Sequence, residues 1–72
     1  MLKGSREGRL LRLQPISIHG QLSYDVHYAF EDDPDQLHAA RVGTEALAAG
    51  LQAGDRVTLD FLVGMVVAVR KA

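Results

Sequence analysis

Seventy-two residues, 47% of them hydrophobic, with a net charge of −1 and no cysteine, describe one small folding unit and exclude disulfides and thiolate metal sites. A chain so close to neutral is a poor ligand for polyanions by bulk charge alone. A domain of this size buries a modest share of its surface and usually gains stability from a crosslink, a metal or a partner subunit.

The chain opens with "MLKGSREG", polar apart from its first two residues and carrying two glycines. It reads as an N-terminal tail over residues 1–8, with the folded domain at 9–72. Its positive charge is not followed by an apolar segment of signal-peptide type, so the expected location is cytoplasmic. From Arg9 the pattern is that of strands. In "RLLRLQPISIHG", Leu11 and Leu13 share one parity, Ile16 and Ile18 the other, and Pro15 stands at the switch. A parity change at a proline predicts a strand with a bulge or bend there. His19-Gly20-Gln21 supplies a turn.

"LSYDVHYAF" has period two over nine residues. Leu22, Tyr24, Val26, Tyr28 and Phe30 fall on one face, with Ser23, Asp25, His27 and Ala29 on the other, the pattern of a half-buried strand. "EDDPDQ" reads as a turn. "LHAARV" is its returning strand, with the register left open because alanine suits either face. In "GTEALAAGLQAGD", Thr44 suits a helix cap, Glu45 the first turn, Leu47 and Leu51 lie four apart, and Gly50 and Gly54 are stops. One and a half to two turns of helix are expected. "RVTLDFL" alternates again, with Val57, Leu59 and Phe61 inward and Thr58 and Asp60 outward. Gly64 permits a reversal into "MVVAVRK". The expected core brings Val26, Tyr28, Leu59 and Phe61 together and leaves Asp25, His27, Thr58 and Asp60 largely exposed.

"FLVGMVVAV", residues 61–69, has no charge and no hydrogen-bonding side chain over nine residues. That is about half of the ~20 residues needed to cross a bilayer, so no membrane insertion is expected. It reads as two strand ends and a turn. Nothing between Phe61 and Val69 blunts a strand edge by charge, proline or a bulge. Val67 and Val69 cannot both face inward alongside Val66 and Ala68. Met65, Val67 and Val69 are therefore the candidate interface of a homodimer or a protein complex.

Three strands, a short helix and two strands is the arrangement of the OB-fold: mainly β, a small, partly open five-stranded barrel with one short helix between strands three and four. "LQAGDRVTLDF", with its "AGDRV" turn, resembles the last hairpin of OB-class barrel proteins, among them bacterial translation initiation factor one and transport-associated OB modules. The resemblance implies partners such as single-stranded nucleic acid, ribosomal RNA or small oxyanions, and it assigns no residue a role. Tyr24 to Phe30, in the pattern Y-x-V-x-Y-x-F, with the Gly54-Asp55 turn, is also similar to bacterial membrane-attached domains. Those domains sit beside transmembrane helices, and none is legible in these 72 residues.

Lys3, Arg6, Arg9 and Arg12 lie at the start of the chain and Arg70 and Lys71 at its end. In an OB-like barrel the first and last strands are close. Arg6, Arg9, Arg12, Arg70 and Lys71 are therefore the candidate nucleic-acid set, with Glu31, Asp32, Asp33 and Asp35 held away on a distant hairpin. The plainer reading is ordinary solvated charge. Tyr24, Tyr28 and Phe30 belong to the core by their period, so no stacking platform is expected and any binding is weak and through phosphates. His19, His27 and His38 have no partner at a ligand spacing, and the acidic turn lacks the glycine and distal glutamate of a calcium loop, so neither metal nor cofactor is expected. Asp25 and His27 stand two apart and could hydrogen-bond, but no nucleophile motif accompanies them. The chain reads as a non-enzymatic binding module, self-associating or protein-binding, with a single-stranded RNA or DNA binder as the alternative.

Overall fold

The computed structural model describes residues 3–72. Its elements are β1 (Lys3–Ile18), β2 (Gln21–Phe30), β3 (Asp33–Gly43), a single 3-10 turn (Thr44–Ala46), β4 (Arg56–Leu62) and β5 (Met65–Lys71). The strands form one antiparallel sheet in the order β3-β2-β1-β4-β5. Five strands in the expected chain order are thus present.

The central strand serves two neighbours in succession. Its first half pairs with β4, from Lys3↔Leu62 to Arg9↔Arg56, and its second half pairs with β2, from Gly8↔Phe30 to Ile18↔Gln21. The two ladders overlap only at Gly8 and Arg9. Residues 3–8, read from sequence as tail, are therefore strand; residues 1–2 lie outside the described residues. Their polarity marks a sheet face. Ser5 donates to Asp60 Oδ1 at 2.6 Å, and the Thr58 hydroxyl donates to Glu7 Oε2 at 2.6 Å. At the overlap the neighbouring strands leave no room for a side chain: a Cβ on Gly8 would lie 2.6 Å from the Ala29 carbonyl oxygen and 3.0 Å from Leu59 Cδ1.

The parity fault in β1 falls at Leu11, not at Pro15. The register slips between Leu10 and Arg12, which puts Leu10 (fully buried) and Leu13 (half-buried) on the core face and leaves Leu11 40% exposed. Pro15 stands in regular register opposite Tyr24. It lies beyond the end of the β4 ladder, where β1 has a strand on one side only, a place that tolerates a missing N–H.

The core consists of Leu10, Val26, Tyr28, Phe30, Val42, Val57, Leu59 and Val69, with Leu13, Tyr24, Leu47, Leu51, Phe61 and Val66 packed at its margin. Val26, Tyr28 and Leu59 are buried together as expected, whereas Phe61 is only half-buried. Asp25, His27, Thr58 and Asp60 are half-buried too, not largely exposed. Arg41, Glu7 and Arg70 reach over three of them: Asp25, Thr58 and Asp60. The acidic turn is shorter than its sequence suggested, since only Glu31 and Asp32 turn and Asp33 already begins β3.

The expected helix after β3 is reduced to one 3-10 turn. Gly43, not Thr44, precedes it, and no side chain caps it. Leu47 leaves the turn to form a parallel bridge with Val69, and the Ala48 N–H donates to the Val69 carbonyl at 3.0 Å. A helix this short is marginal on its own. Extension past Val69 lets Leu47 and Leu51 pack against the core. Gly50 and Gly54 do turn left-handed, at φ 78° and 96°. The edge strands β3 and β5 form no ladder, and only the segment after β3 bridges to β5, at Leu47 and Val69, so the sheet is curled but not closed into a barrel.

Candidate interaction surface

The basic set is divided between β1 and β5. β4 separates β1 from β5, and the β2–β3 turn comes to the arginines instead of staying away. Arg6 pairs with Asp32 at 2.9 Å and Arg56 with Glu31 at 2.8 Å. The cause is the register. Phe30 ends β2 opposite Gly8, and the Glu31 N–H donates to the Glu7 carbonyl at 3.1 Å, which places the turn over the β1–β4 half of the sheet. Arg70 forks onto Asp60 at 2.7 and 2.8 Å, and Arg41 holds Asp25 at 2.9 Å. The Asp25–His27 contact is thereby replaced. Arg9 donates to the Gly54 carbonyl at 2.7 Å, helping to fix the glycine-aspartate turn against β1. Of the five candidate residues, Arg12 and Lys71 alone carry no ion pair or hydrogen bond among the described residues.

Tyr28 and Phe30 lie inside, as their period predicts, and Tyr24 is half-buried at the margin of the core. Phe30 meets Tyr28 edge-on at 5.4 Å, Phe61 at 5.9 Å and His38 at 4.9 Å. The Arg6 guanidinium sits 3.5 Å from the centre of the Phe30 ring. Burial pushes the Tyr28 phenol above its ordinary value, with Arg6 pulling the other way. The β2–β3 register pairs Tyr28 with His38 and His27 with Ala39, so the two histidines face opposite sides of the sheet. No three His, Asp or Glu side chains converge as metal ligands would among the described residues.

Exposed large apolar side chains stand singly on β1–β3, at Leu11, Ile18, Leu22 and Leu37, and as a run at the β4–β5 end of the sheet. Leu62 is 46% exposed, Val63 66%, Met65 70% and Val67 46%. Two features of β5 arrange this. The Val63-Gly64 reversal has φ positive at both central residues, 52° and 76°, so it is a two-residue hairpin of type I′ form. Val67 is an extra residue in β5, because Asp60 pairs with Ala68 and Phe61 with Val66. The bulge resolves the parity conflict of this strand: Val66 and Val69 both turn to the core, and Met65 and Val67 face out. Val69, expected at an interface, is fully buried against Leu59, which corrects that assignment.

Beside the exposed run lies a shallow groove of ≈ 450 Å³, lined by Gly4, Ser5, Asp60, Phe61, Leu62 and Val67. Its one charged group is neutralised in place. The Arg70 fork and then the Ser5 hydroxyl hold the Asp60 carboxyl down to about 2, from an ordinary 3.8. Such a group can be covered without stranding a bare charge. No helix among the described residues is long and apolar enough to cross a membrane. No protein-family model, curated protein or solved structure matches this chain.

Proposed function

We propose that this protein is a non-enzymatic interaction module that associates with a second copy of itself through the β4–β5 hairpin. The observation that supports it is the exposed apolar run Leu62, Val63, Met65 and Val67, gathered on one hairpin with no charge among them. Contiguous apolar surface of this kind marks interaction sites more often than chance exposure does, and a 72-residue chain has much to gain from burying it. The strand order and the single parallel bridge between residue 47 and β5 favour an OB-like, partly open barrel as the scaffold. The bulge at Val67 interrupts the edge of β5, and bulged edges resist strand addition. Contact is therefore by packing of side chains, not by extension of the sheet. A nucleic-acid surface has less support, because Arg6, Arg41, Arg56 and Arg70, four of the six arginines, are held in ion pairs.

Sedimentation velocity from low to high micromolar protein tests the reading. The wild type is expected to shift from monomer toward dimer as concentration rises, and Val67→Lys to stay folded and monomeric. A wild type that sediments as a monomer throughout refutes self-association.

A further inference from the structure

The turn at the tip of this hairpin is made of the wrong residue for its shape. Type I′ hairpins require left-handed backbone at both central positions and strongly prefer Asn-Gly, Asp-Gly or Gly-Gly. The β1–β2 hairpin of this same chain uses His19-Gly20, with φ 51° and 78°, and histidine is among the residues enriched in that region. The β4–β5 hairpin adopts the same pair of angles with Val63 at φ 52°. A β-branched residue there is a true outlier. Val63 is 66% exposed and has no place among the core residues or those packed against them, so burial does not offset the strain. Strain of this kind persists where the surrounding structure enforces it, and it clusters at binding sites.

Resting on the self-association proposed above, we infer that the dimer is a reciprocal exchange. Val63 of each protomer seats in the groove formed by Gly4, Ser5, Asp60, Phe61 and Val67 of the other copy. Knob and groove lie at the same end of one molecule: Gly4 pairs with Phe61, Leu62 with Met65, and Val63 follows Leu62 directly. A two-fold axis beside that end satisfies both contacts at once, because an isologous interface presents the same patch twice. A β-branched side chain has few rotamers to lose on docking. The groove suits an aliphatic side chain. It has glycine at one wall and a half-buried ring at another, and its carboxylate is already paired with Arg70 and Ser5. Ladder formation at the edge is blocked by the Val67 bulge, which leaves side-chain insertion as the way to cover the patch.

Val63→Asn separates this inference from the reading beneath it. Asparagine favours the turn, so the variant is expected to melt above the wild type at concentrations where both are monomeric. It removes the apolar knob, so its dimer dissociation constant is expected to rise at least about tenfold. Val67→Lys serves as the control for loss of the whole surface. If the wild type dimerises and Val63→Asn dimerises within about twofold of it, the exchange is refuted while self-association stands. If Val63→Asn melts below the wild type, the strained-turn argument is refuted. If the wild type never dimerises, both proposals fall together.

Discussion

Replacing Gly8 by alanine adds one methyl group at the point where β1 is paired on both sides. That methyl would lie 2.6 Å from the Ala29 carbonyl oxygen and 3.0 Å from Leu59 Cδ1. The leucine methyl can rotate away, but the carbonyl belongs to the β2 backbone, so a strand has to move. Forcing a methyl into a packed site costs about 1–3 kcal/mol. The loss of glycine's freedom in the unfolded chain returns ~0.4–1 kcal/mol, and because the nearer contact is backbone the clash wins. By those two terms the net loss spans about 0–2.6 kcal/mol, and the backbone contact puts it in the upper half, about 1.3–2.6 kcal/mol. At ~4–8 °C per kcal/mol for a domain of this size, the midpoint falls by about 5–20 °C. Thermal unfolding followed by far-UV circular dichroism reads this directly, with urea unfolding as the isothermal check. A Gly8→Ala variant that melts at or above the wild type would refute the claim that two strands crowd β1 at this position.

Two further outcomes follow from the core and the ion pairs. Phe30→Ala removes a buried ring that touches Tyr28, His38, Phe61 and the Arg6 guanidinium and should cost ~3–5 kcal/mol, against ~1–3 for the half-buried Phe61→Ala. Urea midpoints in the reverse order would place the core elsewhere. Asp60 is depressed to about 2 from 3.8, so its contribution is fully present above pH 3.8 and is lost as pH falls through about 2. Wild type and Asp60→Asn should therefore differ most in urea midpoint above that window and converge below it, and a constant gap down to the acid limit would contradict the ion pair.

β2 and β4 were legible because each keeps a clear period. Val26, Tyr28 and Phe30 on β2, and Val57 and Leu59 on β4, announce a buried face by alternation alone, and burial of that face is a property of the strand itself. Gly64 likewise marked its reversal. The site was legible only in part. Residues 61–69 stood out for their lack of charge, and Met65 and Val67 are indeed exposed. Val69 was misassigned because the bulge that shifts its parity depends on how β5 meets β4. Val63 gave no signal, since a valine beside a glycine is unremarkable until its backbone angles are known.

Local sequence determined the number and order of the strands and the inner faces of β2 and β4, since side-chain alternation and turn chemistry act within a few residues. Tertiary structure decided the rest. Residues 3–8 are strand because β4 offers partners to their backbone and to Ser5 and Glu7. Residues 44–48 fail to make a helix because Val69 offers a bridge and the core accepts Leu47. Arg6 and Arg56 are paired rather than free because the β2–β3 turn ends over β1 and β4. Each of these outcomes is set by a partner many residues away, and a pairing energy between distant segments leaves no mark on the period of either one.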